Sequence, residues 1–192
     1  MNLLQQWKGV SSYMINDPGT FFSQYNEKHG VGYPLQFLLV TSLVSMLIPA
    51  LLSILLNLSS PATAALGALI ILGLGLVTWL GAVIEALLVH LVAMAFGKRD
   101  VATTLEAYAF PAIVRHGLWW IPIVNLALGL YGWYLQIKAL AAFHDLSTGK
   151  ALVAAVIGAL LYVPALIVVA AVIATFVFEL GSSTGVGAGA GV

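Results

Sequence analysis

Cysteine is absent from the 192 residues. That excludes disulfides, thiolate metal ligands and thiol nucleophiles, and it leaves the redox compartment open. Charge is nearly absent as well. Seven Lys/Arg and seven Asp/Glu amount to 7% of the chain, where soluble domains carry about 25%. The formal net charge is +0, so the basic face that nucleic acid requires is missing. No Walker or dinucleotide motif and no nucleophile elbow frames the available Ser, His and Asp residues. What fills the chain is apolar: 61% of the residues are hydrophobic, with a mean hydropathy of +1.05. In water such a surface would expose large apolar patches; in lipid it is at home. A cleavable signal peptide is not expected, because the first apolar run begins only near Pro34, after Lys8, Asp17, Glu27 and Lys28.

Roughly 20 apolar residues cross a bilayer core, and the chain divides accordingly. The reading is an all-α polytopic membrane protein, a bundle of five transmembrane helices. Residues 1–33 form an interfacial segment, where Leu3, Leu4, Trp7 and Val10 fall at the spacing of a short amphipathic helix. Asp17-Pro18-Gly19 marks a turn. Phe21, Phe22, Tyr25 and Tyr33 follow where an aromatic belt would sit. Residues 34–178 are the helical domain, with spans near 34–57, 64–96, 101–118, 119–143 and 151–178. The third is the weakest, since it holds Glu106, Pro111, Arg115 and His116. Residues 179–192 read as a flexible Gly/Ala-rich tail. Lys8 and Lys28, Lys98 and Arg99, and Lys150 fall on one side of five spans. The positive-inside bias therefore places the N-terminus in the cytoplasm and the C-terminus outside, with Arg115 as the exception.

Small and polar residues recur at threes and fours within the spans, which puts each set on one helix face. The sets are Ser42, Ser45, Pro49 and Ser53; Gly67, Ile71, Gly75, Thr78, Ala82 and Glu85; Asn125, Gly129, Gly132 and Gln136; and Ala151, Ala155, Gly158 and Tyr162. Such stripes are the usual packing seams of a membrane bundle; a polar substrate pathway is the sharper alternative. Glu85 stands out, because an ionisable group at mid-span costs about 2.5–3.5 kcal/mol on insertion scales and needs a donor. His90, five residues on, lies about 140° round the helix and is a poor partner. Lys138 or Arg115 could serve. Thr104, Tyr108, Pro111 and Arg115 align if the third span stays helical. They could hold a lipid phosphate, or Arg115 and His116 could snorkel beside Trp119 and Trp120. His90, His116 and His144 lack a second ligand at metal spacing. Asn57-Leu58-Ser59 is a sequon on the expected outer side.

One series of short pieces goes further. Asp17-Pro18-Gly19-Thr20-Phe21-Phe22, Gly32 and Pro34 lead into Tyr108-Ala109-Phe110-Pro111, Ile121-Pro122, Tyr131-Gly132-Trp133 and His144-Asp145-Leu146-Ser147-Thr148-Gly149-Lys150-Ala151. In order and spacing the series resembles the Yip1 family of membrane proteins over about residues 15–175. The resemblance implies five transmembrane helices and a cytosolic N-terminus. Eukaryotic relatives bind Rab-type GTPases and one another. This chain lacks their long hydrophilic N-terminal region, and its Ala/Gly/Val-rich composition looks prokaryotic, so that role is not carried over. No catalytic residue is implied either.

The leading expectation is a non-enzymatic, multi-pass protein of the prokaryotic plasma membrane with no cofactor. It would work through membrane lipids and through other membrane proteins or self-association, one form being an accessory subunit of a larger complex. The buried contact residues would be Glu85, His90, Glu106, Tyr108, Arg115, Asn125, Gln136 and Lys138. A small transporter or channel using Glu85 is the alternative. A membrane enzyme would need Glu106, Arg115 and His116 gathered at one depth.

Overall fold

The computed structural model describes residues 3–118 and 120–184. Residues 185–192, most of the expected tail, lie outside the described residues, as does Trp119. The described chain forms α1 (Leu3–Asn16), α2 (Pro18–Gln24), α3 (Gly32–Leu56), α4 (Pro61–Ala95), α5 (Val101–Ala109), α6 (Ala112–His116), α7 (Pro122–Phe143) and α8 (Thr148–Thr184). Four helices are long and apolar enough to cross a membrane: α3, α4, α7, and α8 over Thr148–Val168.

The expected third span is not one helix. It is the pair α5 and α6, interrupted at Phe110 and Pro111. Proline has no amide hydrogen to donate to the preceding turn, and its ring crowds the carbonyl four residues back. Pro111 instead starts α6 as its N-cap. The stripe Thr104–Tyr108–Pro111–Arg115 is therefore broken in the middle. Residues 104–114 are buried without exception. A segment enclosed by protein needs no apolar outer face, which is why its hydropathy resembles no lipid-facing helix.

Local chemistry sets the helix ends. Asp17 caps α2, accepting from the Thr20 amide at 3.1 Å, with Pro18 in the first turn. Asp100 caps α5, accepting from the Ala102 amide at 3.0 Å and from the Thr103 hydroxyl at 2.8 Å. The helix α4 ends on Gly97, whose φ of 81° lies in the left-handed region that glycine tolerates. There the Lys98 amide reaches back to the Ala93 carbonyl at 3.2 Å. The end of α7 repeats this closure, with Asp145 at φ 49° and the Leu146 amide on the Ala141 carbonyl at 2.8 Å.

Small residues let α3 and α4 approach. A Cβ on Gly75 would sit 3.2 Å from the Ser42 carbonyl oxygen, and one on Gly67 would collide with the Ser53 side chain. Between α4 and α8, Gly158 faces Val89 just as closely, and Ala151 and Ala155 are buried beside it. These seams match the stripes read from spacing. The outer faces are apolar, with Leu56, Leu69, Leu160 and Ile167 among the exposed residues.

The ends of α4 and α8 meet where Lys150 Nζ lies 5.9 Å above the Phe96 ring. The end of α7 joins them through His144, which meets Thr104 beside His90 of α4, and Phe143 lies 5.8 Å from Phe22 of α2. At this near end Phe110 is an aromatic hub. Its ring packs edge-on to Phe37 (5.0 Å), Tyr25 (5.2 Å), Phe21 (5.5 Å) and Phe143 (6.0 Å). The residue that interrupts α5 and α6 thus gathers α2, α3 and α7 around itself. The helix α1 lies across α3, where Trp7 Nε1–H donates to Thr41 Oγ1 at 2.9 Å.

Candidate functional site

Glu85 has a cation. From α6, Arg115 Nη1 donates to Glu85 Oε2 at 2.8 Å and to Gln136 Oε1 of α7 at 2.8 Å. Gln136 Nε2 in turn donates to the Tyr108 carbonyl at 3.3 Å. One ion pair and one amide therefore tie α4, α5, α6 and α7 together. The Glu85 carboxylate is buried and Arg115 is 22% exposed. The fit depends on Gly132: a Cβ there would stand 2.5 Å from Arg115 Cβ and 2.7 Å from its Cα. Of the two cations open to Glu85 from the sequence, Arg115 takes the place, and Lys138 is exposed on α7.

The pair stands at the head of a groove of about 740 Å³ between α4, α6, α7 and α8. Arg115, His116, Thr78, Asn125 and Tyr162 supply polar lining, and Val77, Leu126, Leu130 and Leu166 supply apolar walls. Those four apolar residues are all exposed, so the groove opens sideways. Gly129 leaves it roomy, since a Cβ there would meet nothing within 4 Å. His116 Nε2 is buried and has no hydrogen-bond partner among the described residues.

Two further polar clusters lie at the near end. Thr104 Oγ1 stands between His90 Nδ1 (2.9 Å) and His144 Nε2 (2.7 Å). A hydroxyl has one hydrogen, which can also go to the Asp100 carbonyl at 3.4 Å, so when both contacts are hydrogen bonds at least one imidazole donates. Burial pushes the His144 imidazole down to about 4. In the other cluster, Glu106 Oε1 lies 2.9 Å from His29 Nδ1, and the Tyr25 hydroxyl lies 3.1 Å from the same nitrogen. Tyr33 stacks on the His29 ring at 3.9 Å between centroids. Burial, with the Glu106 charge beside it, holds the Tyr25 phenol well above its ordinary range.

Of the eight residues singled out from the sequence, the structure brings Glu85, Arg115, Gln136 and the Tyr108 backbone into one network. Asn125 joins them in the groove wall. The Tyr108 hydroxyl is buried without a hydrogen-bond partner among the described residues. His90 and Glu106 belong to the two other clusters, and Lys138 to none of the three. The grouping of Glu106, Arg115 and His116 is not formed, because Glu106 is engaged with His29. His29, Tyr25 and Thr104 were not legible as partners. A histidine in a loop carries no spacing signal, the spacing of Thr104 pointed along its own helix, and the contacts cross 77 and 40 residues of chain. Among the described residues no group of three or more His, Cys, Asp or Glu could hold a metal ion.

The family model described as the Yip1 domain matches residues 13–172, most of the chain. Neither the curated proteins nor the solved structures hold a match.

Proposed function

The chain belongs to the Yip1 family, and from that premise we propose a non-enzymatic protein of the prokaryotic plasma membrane. It works through contacts with lipid and with other membrane proteins, as an accessory subunit of a larger complex. It is a multi-pass membrane protein whose apolar helices contact lipid. The observation that carries the finer reading is where its polar groups go. Each ionisable cluster described above is spent on tying helices to one another, and the groove is the one place among these clusters where polar lining adjoins apolar walls.

The proposed topology has five crossings, with the N-terminus in the cytoplasm and the C-terminus outside. Phe96 and Phe143 both lie at the near end, and the 22 residues of α7 rise about 33 Å. Residues 97–121 then have to carry the chain back across the layer, with α5 and α6 as a broken third crossing. Lys98, Arg99 and Lys150 cluster at the near end around Phe96, as the charge bias requires. Arg115 ceases to be an exception, since its charge is matched by Glu85 rather than exposed in an outer loop.

Extraction in native membrane patches followed by mass analysis tests this reading. A stoichiometric protein partner is expected; a solitary chain without partner or lipid contradicts it. The transporter alternative draws on Glu85, Asn125, Thr78 and Tyr162 lining one groove. It requires a liposome flux that Glu85→Gln abolishes.

A further inference from the structure

We propose that the groove is a binding site for one glycerophospholipid, with its phosphate on Arg115 and an acyl chain along the apolar wall. The inference rests on the lipid-contact reading above and gives it an address.

Depth is the first argument. On α7 the ion pair is level with Gly132 and Gln136. Exposed Tyr131 and Tyr134 flank that level, and exposed Lys138 lies just beyond it toward the near end. Tyrosines and a snorkelling lysine on a lipid-facing helix mark the membrane interface. Trp7 of α1 shares a pocket lining with Tyr131, and its indole is bonded to Thr41. Arg115 therefore stands in the near half of the layer, seven residues of α7 in from Phe143, or about 10 Å, within reach of a phosphate drawn into the groove. The groove then runs from Gly132 toward Asn125, seven residues along α7, or about 10 Å, into the layer bounded by Leu126, Leu130 and Val77.

Chemistry is the second argument. Arginine has five N–H donors. The two bonds to Glu85 and Gln136 both leave from Nη1, and the side chain remains 22% exposed. Nε and Nη2 stay in reserve, in the planar fork that suits a phosphate. Glu85 and Gln136 hold the guanidinium in place, so little conformational freedom is lost when a phosphate arrives. Asn125, which makes no side-chain hydrogen bond among the described residues, lies deeper still and offers the groove a second polar contact.

Native mass spectrometry of the delipidated full chain tests the site. The probes are phosphatidylglycerol and diacylglycerol with identical palmitoyl and oleoyl chains. The expected result is one saturable phosphatidylglycerol, retained roughly tenfold more strongly than diacylglycerol, a ratio one charge-assisted contact supplies. Gly129→Leu fills open space and is expected to remove that binding at unchanged helical content. The double variant Glu85→Gln/Arg115→Gln avoids a stranded charge and is expected to erase the preference for phosphate. Equal retention of both lipids, unsaturable binding, or phosphatidylglycerol binding that Gly129→Leu leaves intact would each overturn the proposal. A protein partner that persists through such a failure would leave the broader reading standing.

Discussion

The two ends of the bundle are held together by different chemistry. Toward the α3–α4 turn, helices meet through Gly67, Gly75 and serines, and their outer faces are leucine and isoleucine. Toward the near end, five elements converge on Phe110, and three clusters of buried polar groups bridge them. In lipid, water exclusion supplies little force between helices, so close packing of small residues serves the first region. The second region contains α5 and α6, surrounded by protein, where an unpaired polar group is costly, and its carboxylates and the His29, His90 and His144 imidazoles each have a partner. Outside its glycine seam the far region should therefore tolerate side-chain change, and the near region should not.

The largest effect that tests this contrast is expected from Gly132→Leu. Its Cβ would stand 2.8 Å or less from Arg115 Cβ, Cα and N, so the α6 backbone has to move. The cost should exceed the ~1–3 kcal/mol of ordinary overpacking, and the monodisperse peak in size-exclusion chromatography should be lost. Gly129→Ala, on the same face of the same helix, should leave that peak unchanged.

Arg115→Ala comes next. It strands the buried Glu85 carboxylate, a change that costs about 3–5 kcal/mol in comparable pairs. Thermal unfolding in detergent should show a large drop, and adding Glu85→Gln should recover much of it. If the second substitution recovers nothing, the pair is not what holds α4 to α6.

A smaller effect should follow acidification. Because burial depresses the His144 imidazole to about 4, the folded chain holds fewer protons there than the unfolded chain between that value and the usual 6.5. Stability from this group is present above pH 6.5 and is lost as pH falls toward 4. Unfolding temperatures measured at pH 7.5, 6 and 5 should decline, and His144→Gln should flatten the decline. The smallest effect belongs to the far region: Leu69→Ala, on an exposed face, should shift stability by no more than about 0.5 kcal/mol.

Much of this contrast was legible in the sequence, and for a physical reason. Lipid-facing helices announce themselves by composition, and their seams by small residues at helical spacing, so α3, α4, α7 and α8 and the Gly67, Gly75, Gly132 and Gly158 contacts could be anticipated. The need of Glu85 for a donor could also be stated, and the donor narrowed to two. The near region was harder. The segment 101–118 has a mixed composition because protein, not lipid, surrounds it, and Pro111 alone did not say whether the helix would bend or break. The contacts of His29 and His144 depend on the three-dimensional meeting of loops and helices, which leaves no periodic trace. The groove is half visible: spacing puts Asn125 and Gly129 on one face, but only the fold shows that this face lines an open space.

The account stands or falls on the depth of the Glu85–Arg115 pair. Because the chain has no cysteine, single spin labels at Lys138→Cys and Leu126→Cys in liposomes report depth directly. The predicted result is strong relaxation of the label at 138 by a water-soluble nickel chelate and of the label at 126 by oxygen, which brackets the ion pair in the near half of the layer. Oxygen dominating at both positions would bury the pair in the hydrocarbon and contradict the account.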